Sequence, residues 1–527
     1  MVKVLISDPI AEAGIRLLRE AAGFQVEIAT ELSREALARR VRQADALVVR
    51  SATKVTAEIL AEPGRLRVIG RAGTGVDNID VEAATRAGVV VINTPGGNSV
   101  AAAELTLSLL LASARNIPQA NNALRDGRWE RKQHLGIEVT GKVLGIVGLG
   151  RIGREVARRA RSLQMELLGH DPFILPAALE DLGVECVPLE DLLSRSDFVT
   201  LHVPLTADTR MLIDAAALAR MKLGAHLVNC ARGGLVDEAA LLEALDKDRI
   251  AGAALDVFQE EPPRNRRLLQ HPRVVATPHL GASTREAQER VGTEVADKIR
   301  EFLESGTILD AVNFPSLSRE EHMILRPVMD LAERLGCFLG QVAVGGMRRL
   351  EVRCYGEFVR RPLKPVMMAA VKGLLSPVLA ETVSYVNAPT QAAERGIGVE
   401  EGRSNEPTPF SGLLRLVLAT DGGRISVAGT LFTAEHPRLV EVDGVPVECD
   451  ARGHLLFFRN RDVPGVVGRV GTILGKAGVN IAGIRLGRTA GNGEAVSVVN
   501  VDSPVPGAAV EEIQELPEIL LARAIKV

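Results

Sequence analysis

Up to residue 95, short runs of Val, Leu and Ile at 2–7, 24–29, 46–50, 66–70 and 89–93 alternate with stretches at 10–22, 33–43 and 81–87 that read as helices. Strands that are apolar at nearly every position have no face left for water. Alternated with helices, they predict a parallel sheet covered on both sides. Asn98 and Ser99 then precede a long apolar helix over 100–114, which reads as the crossing into a second unit.

That unit opens at Lys142 with the apolar run Val143-Leu-Gly-Ile-Val-Gly148-Leu-Gly150-Arg-Ile-Gly153 and a helix over 154–163. Further strands are expected at 165–170, 198–203, 225–230, 251–257 and 274–277, with helices between them, which makes a doubly wound α/β domain. A helical run over 283–303 is long enough to pass back to the first unit. The expected division is therefore a discontinuous domain of 1–97 with 283–312 around a second domain of 98–282. Asn313-Phe-Pro315 punctuates the start of a mixed α+β region, 313–450, in which 387–412 is polar and rich in Gly, Pro and Glu and is expected to be a surface loop. The segment 453–527 reads strand, helix, strand, strand, helix, strand, the ferredoxin-like order.

Composition fits this picture of several domains. The chain has 527 residues, and at about 150 residues per domain three or four cores are expected. Lys and Arg total 63 against 66 Asp and Glu, so no global attraction to nucleic acid or to anionic lipid exists and neither is expected as a partner. The five cysteines are scattered with no close pair, which argues against disulfides and zinc and fits a reducing compartment; no metal site is expected. The first residues read as a strand rather than a signal sequence, and the apolar stretch 101–114 carries Glu104 and is too short to span a bilayer, so the expected location is the cytoplasm.

Three glycines carry the strongest chemical signal. In Gly148-x-Gly150-x-x-Gly153, after a strand and before a helix, Gly148 permits a tight turn and Gly150 lets a pyrophosphate approach the backbone. Gly153 allows close helix packing, and the helix N-terminus favours the anion. Asp171 stands 171 − 153 = 18 residues on, where a carboxylate binds the adenosine ribose diol and repels a 2′-phosphate. NAD is therefore the expected cofactor of this Rossmann domain. Three further stretches lie at expected strand ends, where ligands of open α/β sheets bind: Asn229-Cys-Ala-Arg232-Gly-Gly, Asp256-Val-Phe-Gln-Glu-Glu261-Pro-Pro and Pro278-His279-Leu-Gly-Ala282. Oxidising a 2-hydroxy acid needs a base, a cation for the carboxylate and a hydride acceptor. His279 suits the first role, Arg232 the second, and Glu261 would orient the imidazole and favour its protonated form. His202 is a rival histidine at a strand end without a matching acid motif.

Together, the glycine loop, the ordered Arg232, Glu261 and His279 and their flanks resemble the D-isomer-specific 2-hydroxyacid dehydrogenases. Long members of that family also carry an intervening domain and a C-terminal ACT domain, so the resemblance covers the whole chain. It implies a flavodoxin-like substrate domain, a Rossmann NAD domain, an α+β intervening domain and a ferredoxin-like ACT domain. Arg232, Glu261 and His279 take the catalytic roles. Thr74, Arg151, Ile152, Asp171, Val203, Cys230, Ala231, Arg232, Asp256, His279, Leu280, Gly281 and Ala282 are expected to line the dinucleotide, beside Gly148, Gly150 and Gly153.

The activity implied is NAD-dependent oxidation of 3-phosphoglycerate, the first step toward L-serine. Its substrate contacts are expected from Arg50, Ser51, Arg71 and Asn98, with Arg131 a weaker candidate, together with Arg232 and His279. In the tail, Asn460 and Asp462 before the Pro464-Gly465 turn, and Asn480 before the next strand, resemble an ACT ligand site; by resemblance the effector is L-serine, held between paired domains of a dimer or tetramer. Two rivals share the scaffold. A sister enzyme acting on glyoxylate or hydroxypyruvate is opposed by Arg50, Arg71 and the ACT-like tail. An NAD-sensing binding protein is opposed by the intact Arg, Glu and His set and the near-neutral charge.

Overall fold

The computed structural model describes residues 1–379, 382–489 and 493–527. In the first domain, β1 (Val2–Ile6), β2 (Phe24–Ile28), β3 (Ala46–Val49), β4 (Val68–Arg71) and β5 (Val90–Ile92) form a parallel sheet in the order β2-β1-β3-β4-β5. This is the flavodoxin-like order, and it brings the segment after β4 to the cleft between the domains. The chain leaves through the buried helix Ser99–Ala114 and returns by the helix Arg285–Ser305, which lies against Glu12–Glu20. The returning helix and Glu12–Glu20 meet backbone to backbone: a Cβ on Gly14 would stand 2.3 Å from the Gly292 carbonyl oxygen. Lys298, nearly buried, ties the returning helix to the end of β5 by donating to the Asn93 carbonyl and pairing with Asp310.

The second domain is a seven-stranded parallel sheet of β6 (Val143–Val147), β7 (Glu166–His170), β8 (Val184–Cys186), β9 (Phe198–Leu201), β10 (Ala225–Asn229), β11 (Ile250–Leu255) and β12 (Val274–Ala276). Its order is β12-β11-β10-β9-β6-β7-β8, so the chain reverses direction across the sheet between β6 and β9. The crossing helix Ser99–Ala114 packs on β10, β11 and β12 and has ten buried positions spread around its circumference, which explains an apolar pattern with no polar face. Among the described residues, no single helix is long and apolar enough to cross a membrane.

Downstream, the helices Arg319–Val342 and Leu363–Leu375 pack on one face of a six-stranded mixed sheet. Its strands are β13 (Met347–Gly356), β14 (Gly398–Ser404), β15 (Gly412–Thr420), β16 (Gly423–Leu431), β17 (Pro437–Val442) and β18 (Val445–Asp450). The expectation of a surface loop over 387–412 is corrected here. The segment supplies the helix Ala388–Glu394 and then β14, an edge strand parallel to β13. Asn387 is buried rather than solvated because its amide is used twice, accepting from the Ser384 N–H at 2.7 Å and donating to the Thr382 carbonyl at 3.0 Å. The polar sequence of β14 suits an edge, where outward positions face water.

The last sheet, β19 (His454–Arg461), β20 (Ile481–Arg488), β21 (Glu494–Val501) and β22 (Ile519–Lys526), runs in the order β20-β21-β19-β22 with two helices on one face. Leu456, Phe458 and Val499 point at those helices. Alternate residues Leu455, Phe457 and Val498 point the other way into the core shared with the preceding domain, where Phe457 meets Phe338 edge-on at 5.4 Å.

Candidate active site

The glycine loop follows β6 and turns directly into the helix Arg151–Ser162, which starts three residues earlier than its side-chain pattern predicts because Gly150 itself is the cap. Gly148 has φ 93°, and a Cβ there would stand 2.6 Å from the His202 carbonyl oxygen. At Gly153 a Cβ would stand 2.0 Å from the Gly148 carbonyl, so the helix can sit on the strand only without a side chain. Gly150 differs from both: a Cβ there meets nothing within 4 Å, because the position opens on the cleft. With no side chain capping the helix, its first N–H groups are left for an anion. Asp171 follows β7 and is held against the loop, accepting from the Leu149 N–H at 2.9 Å and the Phe173 N–H at 3.0 Å. These residues fit a dinucleotide: open space at the middle glycine, free amide donors beside it and a fixed carboxylate beyond.

Between the two domains lies a cleft of about 330 Å³. From the first domain Arg71 and Thr74 line it, and Asn98 does so at the start of the crossing. From the second come Gly150, Arg151, Ile152, Val203, Cys230, Ala231, Arg232, His279, Gly281 and Ala282. Thr74 donates to the Asn98 side-chain oxygen at 2.7 Å, joining the loop after β4 to the start of the crossing helix. Arg151 reaches back across the cleft to the Pro95 carbonyl.

The Arg71 guanidinium is pushed down to about 10 by burial and then by the neighbouring Arg232, and its Nε has no hydrogen-bond partner. An unsatisfied, desolvated cation facing a cleft is a strong anion receptor. Arg50 is not part of the lining but lies near enough to Arg71 to depress it further, while Ser51 is exposed above. Arg131 is exposed and also stands outside the lining.

At the opposite wall, Glu261 Oε2 lies 2.7 Å from His279 Nδ1, leaving Nε2 toward the cleft. This hydrogen bond is the largest influence on the imidazole and raises its pKa above the ordinary histidine value, against the opposing effect of burial. Burial would raise Glu261, but the bond and charge of His279 outweigh it and the carboxyl lies below its usual range. His279 holds φ 54°, a left-handed conformation that a side chain rarely adopts, and its N–H donates to the Asp256 carbonyl at 2.8 Å.

The resemblance puts Asp256 against the dinucleotide, and in the structure it lies at the base of the 277–281 loop. Its carboxylate is fully buried beneath the loop, accepting from the Thr277 hydroxyl at 2.6 Å and the N–H groups of Leu280 and Gly281 at 2.7 and 2.8 Å. Asp256 therefore shapes the 277–281 loop, which carries His279 and Gly281 into the cleft. His202 lines the cleft, but burial pushes it down to about 3 and its Nε2 meets the Thr200 hydroxyl at 3.0 Å, so it is too weak a base to rival His279. Burial likewise pushes the Cys230 thiol up to about 12, which makes it inert lining.

Sequence reasoning missed Asp77, which reaches from the first domain to Arg232 with Oδ2 2.9 Å from Nε. No spacing rule marks it, since the contact joins positions 155 residues apart. In the tail, the expected effector residues do not meet within one chain. Asn460 pairs with Ala495 at one end of the sheet, whereas Ile481, next to Asn480, pairs with Val501 at the other, on the order of 20 Å away at 3.3 Å per residue.

Residues 107–281 match the D-isomer specific 2-hydroxyacid dehydrogenase NAD binding domain, 324–443 the D-3-phosphoglycerate dehydrogenase intervening domain, and 454–518 the ACT domain. D-3-phosphoglycerate dehydrogenase of Methanocaldococcus jannaschii is 45% identical over 98% of this chain and 98% of its own length. The chain belongs to the D-3-phosphoglycerate dehydrogenase family. The Synechocystis member is 44% identical over 100% of this chain and 95% of its own. As a member of this family, the protein is an NAD-dependent oxidoreductase. Among solved structures, the TT0316 protein from Thermus thermophilus is 37% identical, with a TM-score of 0.55, over 59% of this chain and 100% of its own.

Proposed function

We propose that this enzyme oxidises 3-phosphoglycerate to 3-phosphohydroxypyruvate, with reaction roles on Arg232, His279 and Glu261. The observation that carries this reading is the convergence of a half-buried Arg71 guanidinium with an unpartnered Nε, Arg232 and the Glu261-held imidazole on one cleft. Bound NAD supplies the hydride acceptor for the hydrogen on C2. Arg232 holds the substrate carboxylate, and neutral His279 takes the hydroxyl proton at Nε2 as the carbonyl forms. Glu261 then faces an imidazolium, whose charge it stabilises. Arg71, backed by Arg50 and flanked by Ser51 and Asn98, receives the phosphate. Closing of the cleft about the crossings near Asn98 and Ser283 excludes water from the hydride step.

The working units of this reading are 1–97 with 283–312 for substrate, 98–282 for NAD, 313–450 as the intervening domain and 453–527 as the ACT domain. For regulation, the reading places L-serine between two ACT domains, where Asn480 of one copy can approach Asn460 and Asp462 of another. Asn460 supports a ligand there: its side-chain oxygen is buried and accepts no hydrogen bond. Exposed Ile117, Leu124, Trp129 and Leu135 lie along one stretch after the crossing helix, at 53%, 58%, 76% and 86% exposure, which supports a homo-oligomer, dimer or tetramer. The five cysteines are all free, in keeping with the cytoplasm.

The test is the initial rate of NADH consumption with 3-phosphohydroxypyruvate beside hydroxypyruvate at matched concentration. A large preference for the phosphorylated acid supports the substrate; equal rates keep the dehydrogenase and overturn the phosphate contacts.

A further inference from the structure

Two guanidiniums from different domains pass the segment Arg71-Ala-Gly73-Thr-Gly75, and each passes it at a glycine. A Cβ on Gly73 would stand 1.6 Å from Arg71 Nη1, and a Cβ on Gly75 would stand 1.8 Å from Arg232 Nη2 and 2.7 Å from Asp77 Oδ2. Gly75 does not have a positive φ, so its backbone would accept any residue; what requires glycine is the space taken by Arg232. Asp77 holds that guanidinium by Nε at 2.9 Å, and Nη1 donates to the Ala231 carbonyl at 2.7 Å. The Asp77 loop is in turn fixed, because Asn78 donates to the carbonyls of Arg50 and Thr53, both at 2.7 Å.

We propose that Asp77 is a positioning residue for substrate binding: it takes the Nε edge of Arg232 across the cleft, so that the substrate carboxylate must bind end-on to the Nη edge. The inference rests on the function proposed above and adds a residue that acts through Arg232. A carboxylate on Nε excludes the side-on fork, so the substrate carboxylate is left with Nη2 and the Nη1 hydrogen that the Ala231 carbonyl does not take. Because the holding group belongs to the first domain and the held group to the second, this geometry exists only when the domains are in register. The Asp77 charge also acts on Arg71, where it opposes the repulsion from Arg232.

The test uses the full-length enzyme, with steady-state reduction of 3-phosphohydroxypyruvate and NADH affinity by fluorescence titration. Asp77→Ala is expected to raise KM about tenfold or more with kcat within about threefold and NADH affinity unchanged. Asp77→Asn, which keeps an oxygen for Nε, is expected to restore most of the loss. Gly75→Ala changes no charge and is expected to raise KM as Asp77→Ala does; with Asp77→Asn it carries the test if Asp77→Ala does not fold. An unmoved or lowered KM in Asp77→Ala and Gly75→Ala, or a loss confined to kcat, overturns the inference while the function stands. A wild-type enzyme that turns over no 2-oxo acid overturns the function, and this inference with it.

Discussion

His279 and Glu261 are 2.7 Å apart across a loop whose histidine sits at φ 54°, so the base is held by its partner and by a backbone bent to meet it. The raised imidazole fixes a pH dependence for both directions. Oxidation needs the neutral ring, so its rate is expected to climb through a pKa above the ordinary value of about 6.5; reduction needs the imidazolium and persists to the same raised value. Glu261→Gln removes the largest raising influence, and its kcat/KM profile for oxidation is expected to move toward lower pH. A profile that stays put would detach Glu261 from the ring's titration.

Removing the imidazole separates chemistry from cofactor binding. His279→Ala is expected to lower kcat by about 10²–10⁴-fold with NADH affinity retained, measured by single-turnover absorbance and fluorescence titration. Near-normal turnover would move the proton to another group.

Arg71→Ala tests the anion receptor. Loss of a desolvated guanidinium is expected to raise KM for 3-phosphohydroxypyruvate by about 10–100-fold, and that for hydroxypyruvate much less. Arg50→Ala, at one remove from the cleft, is expected to show the same selectivity at smaller size. Equal losses on both acids would assign these arginines to stability.

Asp171 sets the nucleotide. Asp171→Ala is expected to weaken NAD binding about tenfold and to narrow its advantage over NADP, since the repelling carboxylate is gone. Competitive titration of the two nucleotides reads this directly.

Serine binding between chains predicts complementation. Asn460→Ala and Asn480→Ala homo-oligomers are each expected to lose serine binding in equilibrium dialysis. Mixed oligomers of the two should regain a fraction of sites, because one junction can carry both wild-type halves. Loss without any recovery on mixing would argue for a site within one chain.

What could be read from the chain and what could not divide along sequence distance. Gly148, Gly150, Gly153 and Asp171 report themselves because strand, turn and helix impose their spacing locally; the structure shows the tight turn, the open middle glycine, the close helix packing and the Asp171 carboxylate held against the loop. Arg232, Glu261 and His279 stand out by residue type at successive strand ends, and the structure brings Arg232 and the Glu261-paired His279 to one cleft. Asp77 was not, because its partner is brought to it only when two domains fold against each other. The roles of Asp256 and His202 turn on burial, which composition does not reveal: one carboxylate lies beneath its loop and one imidazole is neutral. The segment 387–412 misled because a hydrogen-bonded Asn387 and an edge strand have the same polar composition as a loop.

The contact of Gly14 with Gly292 has a consequence for the order of events at the ribosome. The first sheet leaves the exit tunnel early, yet the helix that closes its flank is encoded some 200 residues beyond β5, a delay of about 10–40 s at ordinary synthesis rates. During that interval Gly14 and its neighbours await a partner, while the dinucleotide domain, whose segments are contiguous, can finish first. The earliest part of the chain to be made is thus the last of the catalytic pair to be sealed. Ribosome-bound chains stalled once residue 282 has cleared the exit tunnel, with the returning helix still inside it, should therefore be cut by protease within 1–97 and resist it within the glycine-loop domain.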